Sequence, residues 1–300
     1  HMEVMNSMHA VQIKELCKSY KNSSFTLQIN DLSLEAGSIF GLLGSNGAGK
    51  TSLLKLLMDI VRPDRGYIEI LGHRPSEREK LQAKISYMPE NKNLYHNMTV
   101  KKMLDYASAI IPGWDNDKAL ELKNIFPLEG KKRISTLSYG EKTQLYAILT
   151  FARSADLFIL DEPTRGLDPI MQEQMLQLIK EESWQGKTII FSSHQLGEIE
   201  ESVDSLAMLR KGHMVLNGNL DDLKSELFLL KLEKSKISAI PPSTLDIIAT
   251  HHQHKQSLIL CQGGMEARQK LQADFAFLNP ENVNIKDIFL ILMENGGEEE

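Results

Sequence analysis

Long apolar runs are absent from this 300-residue sequence. A membrane-spanning helix needs about 20 consecutive apolar residues, and a signal peptide needs a basic start followed by a shorter apolar run. Neither pattern occurs, so we expect the chain neither to cross a membrane nor to be secreted. The opening His1-Met2 resembles the remainder of an expression tag and is left out of the interpretation.

Cysteine is scarce, and neither sign of charge dominates. The two cysteines, Cys17 and Cys261, lie far apart, which argues against a disulfide framework and suits a reducing cytosol. The 34 basic and 40 acidic residues are mixed along the chain and give a formal net charge of −6. Nucleic-acid-binding proteins concentrate Lys and Arg on one face, so we expect no nucleic-acid partner.

The apolar pattern predicts an α/β fold with a mostly parallel sheet. Alternating residues at Val11–Ile13 and Phe25–Ile29 indicate half-buried strands of an N-terminal antiparallel β layer. Fully apolar strands alternate with helical segments, as a parallel sheet requires. These strands are Ser38–Leu43, Leu157–Leu160 and Lys187–Ser192. The mostly helical sequence between about residues 92 and 152 predicts an insertion between sheet strands.

The order of predicted strands and helices changes after about Lys224. Two short strand patterns, Phe228–Leu232 and Ser257–Leu260, are followed by helical patterns at Met265–Leu271 and Ile285–Glu294. We therefore predict a main domain over residues 11–223 and a small α+β appendage over residues 224–297. A regulatory domain and an extra dimerisation surface both fit this appendage.

A phosphate-binding loop is predicted after the first apolar strand. The segment Gly44-Ser45-Asn46-Gly47-Ala48-Gly49-Lys50-Thr51 matches the pattern G-x-x-x-x-G-K-[ST] and opens a helical pattern. In such loops backbone N–H groups surround phosphate oxygens, the lysine neutralises the β- and γ-phosphates, and the hydroxyl binds Mg²⁺. The alternative is a glycine-rich turn that merely joins a strand to a helix. The predicted ATP-binding residues are Ser45, Asn46, Gly47, Ala48, Gly49, Lys50, Thr51 and Ser52.

Two carboxylates, Asp161 and Glu162, follow the apolar strand Leu157–Leu160. Ligands of parallel sheets bind at this strand end. We predict that Asp161 holds the Mg²⁺ shell and that Glu162 orients or deprotonates the attacking water. Two solvated charges at a strand end are the alternative, but the neighbouring phosphate loop favours the catalytic roles.

The segment Leu137-Ser138-Tyr139-Gly140-Glu141 resembles the L-S-G-G-Q signature of the ATP-binding cassette family. Ser138 and Glu141 also have the spacing of a capping box, which would start a helix at Tyr139, and a capped helix N-terminus favours anions. The resemblance implies that Ser138 and Gly140 contact the γ-phosphate bound by the opposite subunit, so that two chains enclose two ATP molecules. A purely structural cap is the alternative.

Further segments resemble family motifs in the family's order. The resemblance implies that Asp168, in Gly166-Leu167-Asp168, belongs to the loop that crosses the dimer interface, and that His194 is the switch histidine at the γ-phosphate. It also implies that Tyr20 stacks on adenine. A structural histidine and a core tyrosine are the competing interpretations. The resemblance extends from about Val11 to Leu223.

Three positions depart from the family pattern. Glu90 stands where many members carry the glutamine near Mg²⁺, so the resemblance implies Thr51, Asp161 and Glu90 as metal ligands. Tyr139 and Glu141 replace a glycine and a glutamine of the signature. Cassette proteins of bacterial drug, bacitracin and peptide export are similar at Glu90.

The resemblance implies the ATP-hydrolysing subunit of an exporter, on the cytoplasmic face of the cell membrane. Its partners would be a permease on a separate chain, facing residues 87–100, and a second ATPase subunit in a homodimer or heterodimer. One alternative is a soluble cassette ATPase, which usually carries tandem cassettes, a coiled-coil insertion or basic extensions. Another is a non-hydrolysing sensor. Such a sensor is expected to lack the catalytic carboxylate, and the presence of Glu162 argues against it.

The segment His251-His252-Gln253-His254 predicts a solvated loop rather than a zinc site, because these neighbouring residues offer at most three ligands and zinc prefers four.

Overall fold

A computed structural model describes residues 9–21, 23–233, 245–253, 256–275 and 277–294. Within these residues thirteen strands form a nine-stranded and a four-stranded sheet. The strands are β1 (His9–Ser19), β2 (Thr26–Glu35), β3 (Ile39–Gly44), β4 (Arg65–Ile70), β5 (Ile85–Met88), β6 (Leu157–Asp161), β7 (Thr188–Ser193), β8 (Ser205–Arg210), β9 (His213–Asn219), β10 (Leu227–Glu233), β11 (Asp246–His252), β12 (Gln256–Gln262) and β13 (Glu281–Asn282).

The helices cover the strands on both faces of the large sheet and in the C-terminal segment. They are α1 (Lys50–Leu57), α2 (Arg78–Leu81), α3 (Val100–Ile110), α4 (Asn116–Ile125), α5 (Tyr139–Phe151), α6 (Pro169–Trp184), α7 (Leu196–Ser202), α8 (Leu220–Glu226), α9 (Met265–Asp274) and α10 (Ile285–Glu294). None of the described helices combines the length with the apolar composition that crossing a bilayer requires.

The nine-stranded sheet has the order β4-β1-β2-β9-β8-β3-β7-β6-β5. The strands β8, β3, β7, β6 and β5 are parallel neighbours, whereas β1 is antiparallel to β2 and β4. The predicted α/β fold, with its parallel sheet and N-terminal antiparallel layer, is therefore confirmed. The antiparallel layer meets β9 through one parallel pair, Gln28 with His213, and β9 in turn runs antiparallel to β8 at the edge of the parallel strands.

Successive residues of the central strands enter different cores because side chains alternate across a sheet. In β3, Ile39 and Leu43 pack with the helical insertion, whereas Phe40 and Leu42 pack with the antiparallel layer and α1. Every residue of β3 is buried. Burial on both faces explains why these strands read as continuous apolar runs rather than as alternating ones.

The predicted helical insertion contains α3, α4 and α5. Thr99, Asp115 and Ser138 cap the three helices with side-chain oxygens that accept backbone N–H groups. Phe151 at the end of α5 stacks on Phe158 of β6 with a centroid distance of 5.0 Å. This contact packs the end of the helical insertion against β6, the strand that ends at Asp161.

The C-terminal segment forms an antiparallel sheet, β11-β12-β10-β13, with α9 and α10. The loop that we predicted at the histidines is wrong for His251 and His252, which end β11; His254 lies outside the described residues. His252 Nδ1 lies 2.7 Å from Ser257 Oγ across the strand pair. The β-branched run before His251 continues as a strand because β12 offers it a hydrogen-bonding partner. The division of the chain into two domains stays a prediction.

Candidate functional site

The predicted phosphate loop is the turn between β3 and α1. Gly47 and Gly49 have φ values of 79° and 114°, in the left-handed region that favours glycine. A side chain at Gly49 would bring its Cβ within 2.9 Å of Leu27 Cδ1. The backbone therefore curls tightly against β2, and the first N–H groups of α1 point toward the loop, as in an anion-binding helix N-terminus.

Lys50 is buried at the start of α1. Its Nζ donates a hydrogen bond to the Gly44 carbonyl at 2.6 Å and lies 3.8 Å from Glu162 Oε1. Burial lowers the pKa of Lys50, while the carboxylates of Glu162, Asp161 and Glu90 favour its charged form. A buried cation with few partners is well placed to attract phosphate oxygens.

A cleft of 490 Å³ surrounds the phosphate loop. Its lining residues are Tyr20, Ser23, Phe25, Ser45, Asn46, Gly47, Ala48, Gly49, Lys50, Thr51, Ser52, Glu90 and Glu162. The rings of Tyr20 and Phe25 lie 6.2 Å apart on one wall. Tyr20 is thus placed where a base could stack, although that role stays a prediction. The sequence analysis did not predict Phe25 as a site residue. Its aromatic ring at the start of the predicted strand Phe25–Ile29 was the feature that could have indicated this role.

Asp161 and Glu162 are both oriented by Ser192 of the neighbouring strand β7. Ser192 Oγ donates to Asp161 Oδ1 at 2.7 Å and accepts from the Glu162 backbone N–H at 3.0 Å. Asp161 is fully buried, and no described residue donates a hydrogen bond to its Oδ2. A buried carboxylate oxygen without a donor fits a cation, and Thr51, which lines the cleft, carries a hydroxyl oxygen of the kind that Mg²⁺ prefers.

Glu162 lies between the Lys50 ammonium and the His194 imidazole. Its Oε2 is 2.7 Å from His194 Nδ1, and its Oε1 is the atom that faces Lys50. Glu162 is only 6% exposed and has a φ of 50°, in the left-handed region that non-glycine residues adopt uncommonly. The carboxylate is therefore held toward the cleft by backbone and side-chain contacts together.

Glu198 supports the turn that carries His194. Its carboxylate accepts from Ser193 Oγ at 2.5 Å and from Gln195 Nε2 at 2.9 Å. Burial raises the pKa of Glu198. Sequence reasoning did not single out this glutamate, which lies one helical turn after the histidine.

Glu90 lines the cleft, but its carboxylate is paired with Arg165. Arg165 lies in the turn after β6 and was not predicted as a site residue. The implied role of Glu90 as a metal ligand stays a prediction, and it would require the carboxylate to share its oxygens with Arg165. Lys92, another unpredicted cation near this segment, is buried and donates to the Pro89 carbonyl at 2.6 Å.

The predicted capping box at Ser138 is confirmed. Ser138 Oγ accepts from the Glu141 N–H at 3.1 Å, and Glu141 Oε2 accepts from the Ser138 N–H at 2.8 Å. A side chain at Gly140 would collide with the Gly166 carbonyl. Neither Ser138 nor Gly140 lines the cleft around Lys50. The structure thus brings the phosphate loop, Glu162 and His194 together, whereas Ser138 and Gly140 lie outside the lining of this cleft.

Asp168 is the N-cap of α6. Its Oδ1 accepts from the N–H groups of Ile170 and Met171, both at 3.1 Å, and Pro169 occupies the first helical position. The contacts of Asp168 in this chain are those of a helix cap. Its implied role near the nucleotide stays a prediction.

Comparisons with known proteins agree on one family. The sequence profile described as ABC transporter matches residues 27–165. The ABC transporter ATP-binding protein YtrB of Bacillus subtilis is 33% identical over 223 residues, which cover 74% of this chain and 76% of that protein. The bacitracin transport ATP-binding protein BcrA of Enterococcus faecalis is 32% identical over 220 residues, covering 72% and 71%. A solved ATP-binding subunit of an ABC transporter superposes with a TM-score of 0.65 at 28% identity, covering 72% of this chain and 92% of that one.

Proposed function

The chain belongs to the ABC transporter family as an ATP-binding subunit with ATPase activity, and we propose that it drives a membrane permease on a separate chain by closing with a second ATPase subunit around two ATP molecules. Each part of this proposal rests on a different surface of the molecule. The cleft supports hydrolysis, the exposed signature segment supports the subunit pair, and a groove beside the helical insertion supports the permease.

The cleft residues divide the chemistry among them. Backbone N–H groups of the loop and the Lys50 ammonium hold the triphosphate, whose γ-phosphate points toward Glu162. Glu162 accepts the proton of the attacking water or orients that water, and His194 steadies the carboxylate through its contact of 2.7 Å. Mg²⁺ held by Thr51 and Asp161 would offset phosphate charge in this site.

The single observation that carries the paired-subunit proposal is the position of the signature segment. Ser138 is exposed at the start of α5, and the cleft around Lys50 does not include it. The capped N-terminus of α5 favours an anion. A γ-phosphate bound by a second subunit supplies that anion, so one cleft is completed by the signature of the other chain. The second subunit can be a copy of this chain or a similar ATPase.

A groove next to the helical insertion supports the docking of a permease. It has a volume of 550 Å³ and runs between β5 and the helices α3 and α5. Its lining residues include Tyr87, Asn93, Leu94, Tyr95 and Met103. Tyr95 is exposed and meets Tyr106 edge to face, and exposed aromatic residues are enriched where proteins dock. The groove overlaps the segment 87–100 that we predicted to face the membrane partner.

Export is supported by the likeness to a bacitracin transport protein, together with glutamate at position 90. A chain of this kind works at the cytoplasmic face of the cell membrane, where its permease is. The alternative is a soluble cassette ATPase without a membrane partner. Co-purification with membranes, abolished by Tyr95→Asp in the groove, separates the two.

The paired-subunit proposal is tested with Glu162→Gln, which blocks hydrolysis, by measuring solution mass with size exclusion and light scattering. We expect a dimer with Mg-ATP and a monomer without it. Two further changes in this background supply the control: Ser138→Asn keeps a neutral helix cap, whereas Ser138→Asp keeps the cap but adds a negative charge facing the phosphate. Dimers with Ser138→Asp as stable as those with Ser138→Asn would contradict the composite site.

A further inference from the structure

The nucleotide cleft carries three carboxylates, Glu90, Asp161 and Glu162, that act on the Lys50 ammonium. Many members of the family carry a neutral glutamine at the position of Glu90, whereas this chain, like the exporter cassettes that it resembles there, adds a third negative charge. ATP is itself highly charged, and a like charge beside it weakens binding unless another group offsets it. A compensating cation is therefore expected near Glu90.

Arg165 is the cation that contacts the Glu90 carboxylate directly, whereas the buried Lys92 donates to the Pro89 carbonyl. Arg165 Nη1 forms an ion pair with Glu90 Oε1, and the two side chains are 52% and 31% exposed. The Arg165 guanidinium lies over the Tyr139 ring, 5.8 Å from its centroid, and the Tyr139 hydroxyl donates to the Glu90 backbone carbonyl at 2.9 Å. These contacts form the Glu90–Arg165–Tyr139 cluster, whose members come from the turn after β5, the turn after β6 and the start of α5.

The surrounding backbone is shaped to hold this cluster. A side chain at Gly166 would collide with the Tyr139 ring, and the φ of Gly166 is 78°. Thr143 Oγ1 lies 3.1 Å from the Arg165 carbonyl oxygen. Tyr139, which departs from the family's glycine, is therefore packed by the same turn that carries the guanidinium. Both departures, at positions 90 and 139, meet at one arginine.

We propose that Arg165 is a positioning residue that neutralises and orients Glu90, so that the cleft accepts a triphosphate despite its third carboxylate. Tyr139 fixes the guanidinium by stacking and ties the Glu90 backbone to α5. The proposal rests on the proposed function, because it requires ATP in the cleft.

The test is a double-mutant cycle on the affinity for ATP. Arg165→Met keeps the side-chain length and removes the charge, so the Kd for ATP should rise about fivefold, the effect of one uncompensated charge at a partly exposed site. Glu90→Gln removes the charge that Arg165 offsets. In that background Arg165→Met should change the Kd by less than about twofold. Arg165→Lys, which restores the charge, should recover most of the lost affinity.

Affinities are measured by titration calorimetry on the full chain with ATP and EDTA, so that the readout depends neither on hydrolysis nor on metal. Arg62→Met is the matched control, since the Arg62 side chain is 83% exposed and does not line the cleft. Glu90→Gln alone removes a negative charge beside the cleft and should tighten ATP binding. This last measurement keeps the proposal testable if Arg165→Met does not fold.

Each outcome is decisive. An equal loss of affinity from Arg165→Met in both backgrounds would show that Arg165 acts independently of Glu90 and would overturn the proposal, as would no loss in either. Weaker ATP binding by Glu90→Gln would overturn it as well. If the unmodified chain itself binds no ATP, the proposed function fails, and that result is distinct from any outcome of the cycle.

Discussion

The C-terminal helix α10 should unfold together with the ATP-binding part of the chain. Its residue Ile288 is fully buried, and it belongs to the same hydrophobic cluster as Leu206 and Met208 of β8. The Arg210 guanidinium also donates to the Leu292 carbonyl at 2.6 Å, which joins β8 to α10. Since one hydrophobic cluster joins residues of both sheets, loss of packing around Ile288 should weaken the ATP-binding part of the chain as well.

Ile288→Ala removes a buried aliphatic side chain, and such truncations cost about 2–5 kcal/mol of the free energy of unfolding. Ile247→Ala is the matched control, because the same change is made in the same segment at a side chain that is 44% exposed on β11. We expect the control to cost less than about 1 kcal/mol. The comparison isolates burial from residue type and from position in the chain.

The assay is urea unfolding followed both by circular dichroism and by the fluorescence of Trp114 and Trp184, which lie outside the C-terminal segment. For Ile288→Ala both signals should shift together to lower urea concentration, as a single cooperative transition. A second transition that shifts alone, with unchanged tryptophan fluorescence, would refute the argument. It would show that the C-terminal segment folds as an independent unit.

Three further predictions concern the site and the thiols. Glu162→Gln should lower the rate of phosphate release about 10²- to 10⁴-fold while ATP still binds, and a loss under tenfold would exclude Glu162 as the general base. Ser138→Ala should lower the free energy of unfolding by about 1 kcal/mol in urea titrations, because α5 loses its cap; an unchanged midpoint would contradict this. Burial raises the pKa of the Cys261 thiol to about 12, so it stays protonated and unreactive at pH 8, whereas the partly exposed Cys17 is accessible. A thiol reagent should therefore modify one cysteine in the native chain and both in denaturant, and rapid native modification of two would contradict the burial of Cys261.

The sequence by itself determined the features whose chemistry is contiguous along the chain. The phosphate loop is read from eight successive residues, and its glycines, lysine and threonine each have a local reason. The capping box at Ser138 likewise needs only two residues three positions apart. The parallel strands were recognisable because burial on both faces makes every residue apolar, as in β3.

Only the tertiary structure decided the contacts between segments that are distant in sequence. Glu90 and Arg165 are separated by 75 positions and meet because β5 and β6 are neighbours in the sheet. Phe25 reaches the cleft wall because β2 packs beside the loop, and His251 continues a strand because β12 lies alongside. Charge pairing, ring stacking and strand pairing depend on distance in space, which topology sets, and no local spacing of residues encodes them.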